Sequence, residues 1–227
     1  MKKFHFLIPI ILLVSIVGSF VGIVYNLKFK HDELQGISTN QLPLYEANQL
    51  VVDEEGNYYI GDGWYNLNIQ IFDSKGEYKN TLSFSGSSCN FSVDKNKLTV
   101  ISYGRGSQSI EYIIDLDKMK IVKENEISDE EAEDLFVQYS QLTERFYKSS
   151  NTTYELKRNF ILCNKINIRE NNKTRTLILK NMPVFPLPTP VYLGAIVLLF
   201  WGLVLYTHIV LYFDKIKEKI HKGFNIL

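Results

Sequence analysis

Asp53, Glu55 and Asn57 have the odd-position spacing of a calcium loop. In such a loop alternate side chains converge on one ion. The later ligands and the terminal Glu are missing, so the run reads as a hairpin turn. Cys89 and Cys163 are the only cysteines. Outside the cell they could pair, and a loop that long would contribute about 4 kcal/mol. Both sit in apolar strand contexts, so two buried free thiols are the first reading and the disulfide the alternative. With no His nearby they make no zinc site. Gly104-Arg105-Gly106-Ser107 is glycine-rich but lacks the lysine and following helix of a phosphate loop, and reads as a surface hairpin loop. His31 lies in a polar stretch, which argues against Ser-His-Asp chemistry. His208 falls near the end of an apolar run and reads as an interface residue. Asn90-Phe91-Ser92, Asn151-Thr152-Thr153 and Asn172-Lys173-Thr174 match glycosylation sequons, which carry meaning only in a eukaryotic secretory pathway. No nucleophile, base and orienting group occur together. We therefore expect no catalytic activity, and assign no catalytic, cofactor-binding or metal-ligating residue and no cofactor.

The chain of 227 residues has 25 Lys+Arg against 25 Asp+Glu, a formal net charge of zero. A nucleic-acid binder needs a basic face to neutralise phosphates, so nucleic acid is not an expected partner. Apolar content of 45% argues against disorder. The mean hydropathy of -0.08 hides two kinds of sequence. Both ends are apolar runs, and the middle is polar and turn-rich.

The runs at 4–25 and 190–213 carry no formal charge. A helix of 22 residues would reach about 33 Å, enough for a hydrocarbon core of about 30 Å. These runs predict two transmembrane helices, the first retained rather than cleaved as a signal near Val17-Gly18-Ser19. Pro183, Pro186, Pro188 and Pro190 form a stiff lead-in to the second. Lys2 and Lys3 at one end, and Lys215, Lys217, Lys219 and Lys222 at the other, would hold both termini in the cytoplasm. The expected organisation is a cytoplasmic tip (1–3), a first span (4–25), a linker (26–48), an extracytoplasmic β-rich domain (49–186), a second span (190–213) and a basic cytoplasmic tail (214–227). The expected location is the cell membrane. The expected partners are the lipid bilayer and another membrane protein or cell-envelope ligand.

Between the runs the period changes to two. Leu50-Val51-Val52 and Tyr58-Tyr59-Ile60 flank an Asp/Gly/Asn cluster, a hairpin signal. Asn66 to Phe72 alternates polar and apolar, as a half-buried strand does. Asp73-Ser74-Lys75-Gly76 is the next turn, before a strand from Glu77 to Phe84. The pattern then returns: Phe91-Ser92-Val93-Asp94 matches Leu50 to Asp53 at an offset of 41, and Ile110 to Asp115 matches Asn68 to Asp73 at an offset of 42. A spacing of about 40 to 45 residues with four strands is the length of a propeller blade.

Leu50 to Leu82 resembles the NHL-type blade repeat of β-propellers, with Val-Asp leading into a Gly-Asn turn and a strand ending in Phe-Asp. Phe91 to Ile121 resembles it less closely, since the Gly-Asn turn is lost. The resemblance implies a β-rich interaction domain and carries over no catalytic residue. The chain has space for about two blades and one degenerate unit, fewer than the roughly four to eight of a propeller. It therefore implies a blade-like sheet or sandwich, or closure by several chains.

Ser128 with Glu131 forms a capping box, and the acids around it suit a helix start. Leu135, Phe136, Tyr139, Leu142 and Phe146 make one apolar face, predicting an amphipathic helix over 129–147 that packs on the sheet. Tyr154 to Arg169 reads as one long strand, and Thr174 to Lys180 returns after the turn at Asn171-Asn172-Lys173. The fold class expected is thus two transmembrane helices flanking a mainly antiparallel β domain with one helix. The expected function is non-catalytic binding or sensing. The alternative is an accessory subunit of a transport or secretion complex, for which Gly18 and Gly22 would allow close helix packing.

Overall fold

The computed structural model describes residues 36–45, 47–62, 67–86, 88–104, 108–140, 145–149, 151–159 and 162–184, with scattered helical positions in the terminal segments. The chain divides into two units, Met1–Leu27 with Pro186–Leu227, and Lys28–Phe185. Among the described residues no helix is long and apolar enough to cross a membrane. This finding overturns the two-span fold class and the membrane location built on it. Crossing a hydrocarbon core of about 30 Å takes about 20 helical residues, and no described helix has that length together with the apolarity. Most of 4–25, including Gly22, and part of 190–213 lie outside the described residues, as do His31 and 105–107.

The second unit is built from three antiparallel sheets. Sheet 1 has the order β1 (Gly36–Ser38), β5 (Tyr78–Phe84), β4 (Leu67–Phe72), β3 (Tyr58–Asp62), β2 (Ala47–Val52). Sheet 2 is the meander β6 (Ser88–Asp94), β7 (Lys97–Tyr103), β8 (Ser109–Asp115), β9 (Lys120–Ile127). Sheet 3 is the meander β10 (Phe146–Ser149), β11 (Thr152–Asn159), β12 (Leu162–Glu170), β13 (Lys173–Ile178). A helix, α1 (Asp129–Ser140), joins sheets 2 and 3.

Sheet 1 is the middle layer. The pairs Val51↔Tyr59↔Ile71 put these side chains on one face, because directly opposed residues share a side. There they pack with Phe91, Leu98, Val100, Tyr112 and Ile114 of sheet 2. The neighbouring pairs Val52↔Tyr58↔Phe72 point the other way. They pack with Leu156, Cys163, Ile166 and Ile168 of sheet 3. This explains why β4 is buried along its whole length although its sequence alternates. The half-buried expectation for 66–72 is corrected: the polar positions Asn68 and Gln70 are also inside.

What covers Gln70 and the neighbouring Thr81 is the segment read from sequence as linker. Residues 38–45 run over them and supply backbone partners. The Gln70 side-chain amide donates to Leu42 O at 2.9 Å and accepts from Leu42 N at 3.3 Å. Thr81 Oγ1 donates to Asn40 O at 2.9 Å. Cys163 N donates to Leu44 O at 2.7 Å, and Leu44 is fully buried. Buried polar groups need such partners, since an unmet one costs about 1–3 kcal/mol.

Two further expectations change. The run 154–169 is two strands, β11 and β12, paired as a hairpin with Leu156 opposite Ile166. No Gly or Pro marks the reversal, so alternation alone does not reveal it. The described helix runs Asp129–Ser140, and the end of the expected helix falls in the strand Phe146–Ser149. Phe146 to Ser149 instead pair with Glu155 to Thr152, and strand pairing overrides the helical spacing. Phe146 is 56% exposed rather than part of a buried stripe. Leu142 and the side chain of Phe136 lie outside the described residues. Where the helix is described, Glu131 N donates to Ser128 Oγ at 3.2 Å as an N-cap should, and Ala132 is fully buried.

Candidate functional site

Two turns of sheet 1 share one construction. Asp53 N donates to Asn57 O at 3.1 Å, and Gly56 N to Asp53 O at 3.1 Å. Asp53 Oδ1 accepts from Glu55 N at 2.9 Å and Asn57 N at 2.8 Å. Asp73 repeats this pattern with the amides of Lys75 and Glu77, both at 2.9 Å, and Gly76 closes that turn. An Asp that caps its own turn, followed by a Gly at positive φ (83° at Gly56, 75° at Gly76), explains both Asp-x-x-Gly segments locally. The amide of Glu77, helped by that of Lys75, holds the Asp73 carboxyl below its ordinary value against the opposing effect of burial.

Asp53 differs from Asp73 in what its second oxygen does. Oδ2 accepts from Asn57 Nδ2 at 2.8 Å and from the buried Tyr59 hydroxyl at 3.0 Å. Burial, then the charge and hydrogen bond of Asp53, then Glu55, push the Tyr59 phenol far above its usual range. It therefore remains a proton donor at any ordinary pH. With four donors on its two oxygens, Asp53 is committed to holding the turn. The calcium-like trio Asp53, Glu55 and Asn57 is thus brought together as a turn, with the Asn57 amide on both carboxylates rather than facing an ion. Among the described residues no group of three or more His, Cys, Asp or Glu is placed to hold a metal.

Beside this turn opens a cleft of about 660 Å³ between sheets 1 and 2. Sheet 1 contributes the 53–57 turn, Tyr59, Ile71, Lys79 and Asn80, and sheet 2 contributes Lys95, Asn96, Leu116, Asp117 and Met119. The size falls within the roughly 300–1,000 Å³ of small-ligand sites. Its floor continues the first core cluster, against which Leu116 and Met119 pack. Its rim is charged with both signs: Glu54, Glu55 and Asp117 against Lys79 and Lys95, all exposed. The sheet 2 side of the rim is pinned. Asn96 Nδ2 donates to Asp117 Oδ2, and Leu116 N donates to Asn96 O at 2.9 Å. Lys95 and Met119 sit at positive φ, 51° and 45°, in the tight turns that aim these residues at the cleft.

The other sequence candidates do not converge on the cleft. Cys89 lies in the cluster between sheets 1 and 2, and Cys163 in the one between sheets 1 and 3, both as buried thiols. Cys163 Sγ lies 3.7 Å from Ala47 O. Asn90 is 2% exposed, so the first sequon is inside the fold, whereas Asn151 and Asn172 are on the surface. His208 is exposed on its helix. Lys95, Asn96, Asp117 and Met119 carried no motif. The signal that points to them is the repeat itself, since the offset of 41 sets the Lys95-Asn96 turn at the place of the 53–57 turn. Comparison of the chain with protein-family models and with curated proteins finds no match.

Proposed function

We propose that the β unit is a non-catalytic recognition domain, and that the cleft beside Asp53 takes a short peptide. The observation that carries this reading is a cleft whose polar groups are fixed by turns while its floor is apolar. Glu54, Glu55 and Asp117 suit an ammonium or basic side chain. Lys79 and Lys95 suit a carboxylate, and the amides of Asn80 and Asn96 suit peptide groups. Tyr59, Ile71, Leu116 and Met119 offer one apolar side chain a seat. Preorganisation supports affinity here, because turns already held by hydrogen bonds lose little freedom on binding. The likeness of Leu50–Leu82 to a propeller blade favours the same reading, as blade loops commonly present binding surfaces.

The full chain, incubated with an array of short peptides, should retain a subset of them. The double variant Glu55→Ala/Lys79→Ala changes two exposed rim residues and should keep the wild-type melting temperature. It should weaken binding at least about tenfold, or about 1.4 kcal/mol. Retention of no peptide would overturn the reading, as would equal binding by the double variant.

A further inference from the structure

The two outer layers of the unit are oppositely charged. Helix α1 lies against β6, β7 and β8. It sits on the face away from sheet 1, where Ser109 Oγ donates to Asp129 Oδ1 at 3.3 Å. Its 12 residues include Asp129, Glu130, Glu131, Glu133 and Asp134, all exposed, and no Lys or Arg. On the opposite side of the stack, sheet 3 turns Ile166 and Ile168 inward to sheet 1. The alternate positions face out. Lys165 stands opposite Lys157, and Arg169 opposite Thr153, with Lys148 next along that row. A hydrogen bond of 2.9 Å from Thr176 Oγ1 to Asn167 Oδ1 confirms that these rows share one face. Glu155 is the acid among them, and it pairs with Lys157. The helix thus carries five carboxylates and no cation, and the outer face of sheet 3 carries four cations against one carboxylate.

We propose that copies of this chain associate head to tail, the acidic helix of one lying across the basic outer face of sheet 3 of the next. The occupant follows from charge complementarity, since the chain itself presents both halves of the contact. The dimensions also agree. Twelve residues of helix extend about 18 Å, and four strands about 4.8 Å apart span a similar width. Such a patch covers a few hundred Å² per partner, well below the roughly 800 Å² of a stable interface. The association is therefore weak, fast and governed by charge. The contact is heterologous, so it either closes into a ring or propagates. It does not depend on the peptide cleft, which opens between sheets 1 and 2.

The test is sedimentation of the purified full chain over a concentration series. Association should weaken at least about tenfold between about 0.1 M and about 1 M salt, as the screening length falls from about 10 Å to about 3 Å. Two charge-reversed chains decide the faces involved: Lys165→Glu/Arg169→Glu, and Glu130→Lys/Glu133→Lys. Each alone should stay monomeric, with the circular dichroism of the wild type. Their equimolar mixture should associate again, because the acidic helix of the first then meets the basic face of the second. Association that persists or strengthens with salt would overturn the proposal. So would a failure of the mixture to associate, or a wild-type chain that stays monomeric at low salt while its basic face binds anionic vesicles.

Discussion

Replacing Asp53 with Ala should be the most costly single change at the cleft. The carboxylate accepts four hydrogen bonds: from the amides of Glu55 and Asn57, from Asn57 Nδ2, and from the Tyr59 hydroxyl. Three of these end at exposed or half-buried groups that water can reach, so their loss is partly offset. The Tyr59 hydroxyl is different, since its ring is 3% exposed and its proton loses a charged acceptor. A bond to a charged group contributes about 1.5–3 kcal/mol, and an orphaned buried donor costs about 1–3 kcal/mol. With the loosened turn included, Asp53→Ala should cost about 3–4 kcal/mol. Asp73→Ala serves as the internal control. It removes the same two amide bonds from an equivalent turn but orphans no buried hydroxyl, and should cost only about 1 kcal/mol. Urea unfolding followed by circular dichroism gives both numbers from the shift in midpoint at constant slope. Equal costs for the two variants would refute the reasoning, because Tyr59 is the group that separates them.

Tyr59→Phe removes one donor to Asp53 and should cost about 1–2 kcal/mol in the same assay. Its raised folded pKa means that the protonated phenol stabilises the fold fully below the unfolded value of about 10. That contribution is lost as pH rises beyond it. Tyr58, Tyr147 and Tyr154 are raised as well, chiefly by burial, and act in the same direction. Stability should therefore fall above about pH 10, and less steeply in Tyr59→Phe; a pH-independent midpoint up to that range and beyond would contradict this. Gly76→Ala should cost about 1–3 kcal/mol, since φ is 75° and a Cβ would come 2.8 Å from Ile178 O. Thermal melting would settle it, with an unchanged midpoint as the contrary result. Phe72→Ala, at a fully buried side chain between sheets 1 and 3, should cost about 3–5 kcal/mol, against under 1 kcal/mol for the exposed Phe146→Ala.

Local pattern and distant packing separate in how this fold can be read from its sequence. The alternation of 68–72 and the Asp-x-x-Gly turns mark β4 and its flanking hairpins, because those signals are set by residues two to four apart. The burial of Gln70 is not local. It depends on residues 38–45, whose backbone lies across sheet 1. A polar residue facing another segment of backbone looks, in sequence, like one facing water. The end of the helix fails to show for a related reason, since Phe146 keeps helical spacing while strand β11 offers a full ladder. The span expectation for 4–25 and 190–213 rested on composition alone, and among the described residues no helix is long and apolar enough to bear it out. The cleft is the least legible part. Asp53 was visible as a turn, but Lys79, Asn96 and Asp117 become neighbours only once sheets 1 and 2 pack through Val51, Ile71 and Tyr112.

The most direct test of the recognition reading is amide hydrogen exchange of the full chain, alone and with the tightest peptide from the array. Added protection should be confined to residues 53–57, 79–80, 95–96 and 116–119, the turns and strand that line the cleft. β4, buried on both faces, should already be among the slowest segments in the free chain. Protection that falls on the outer strands of sheet 3 instead, with the 53–57 turn unchanged, would contradict the assignment of the cleft as the binding site.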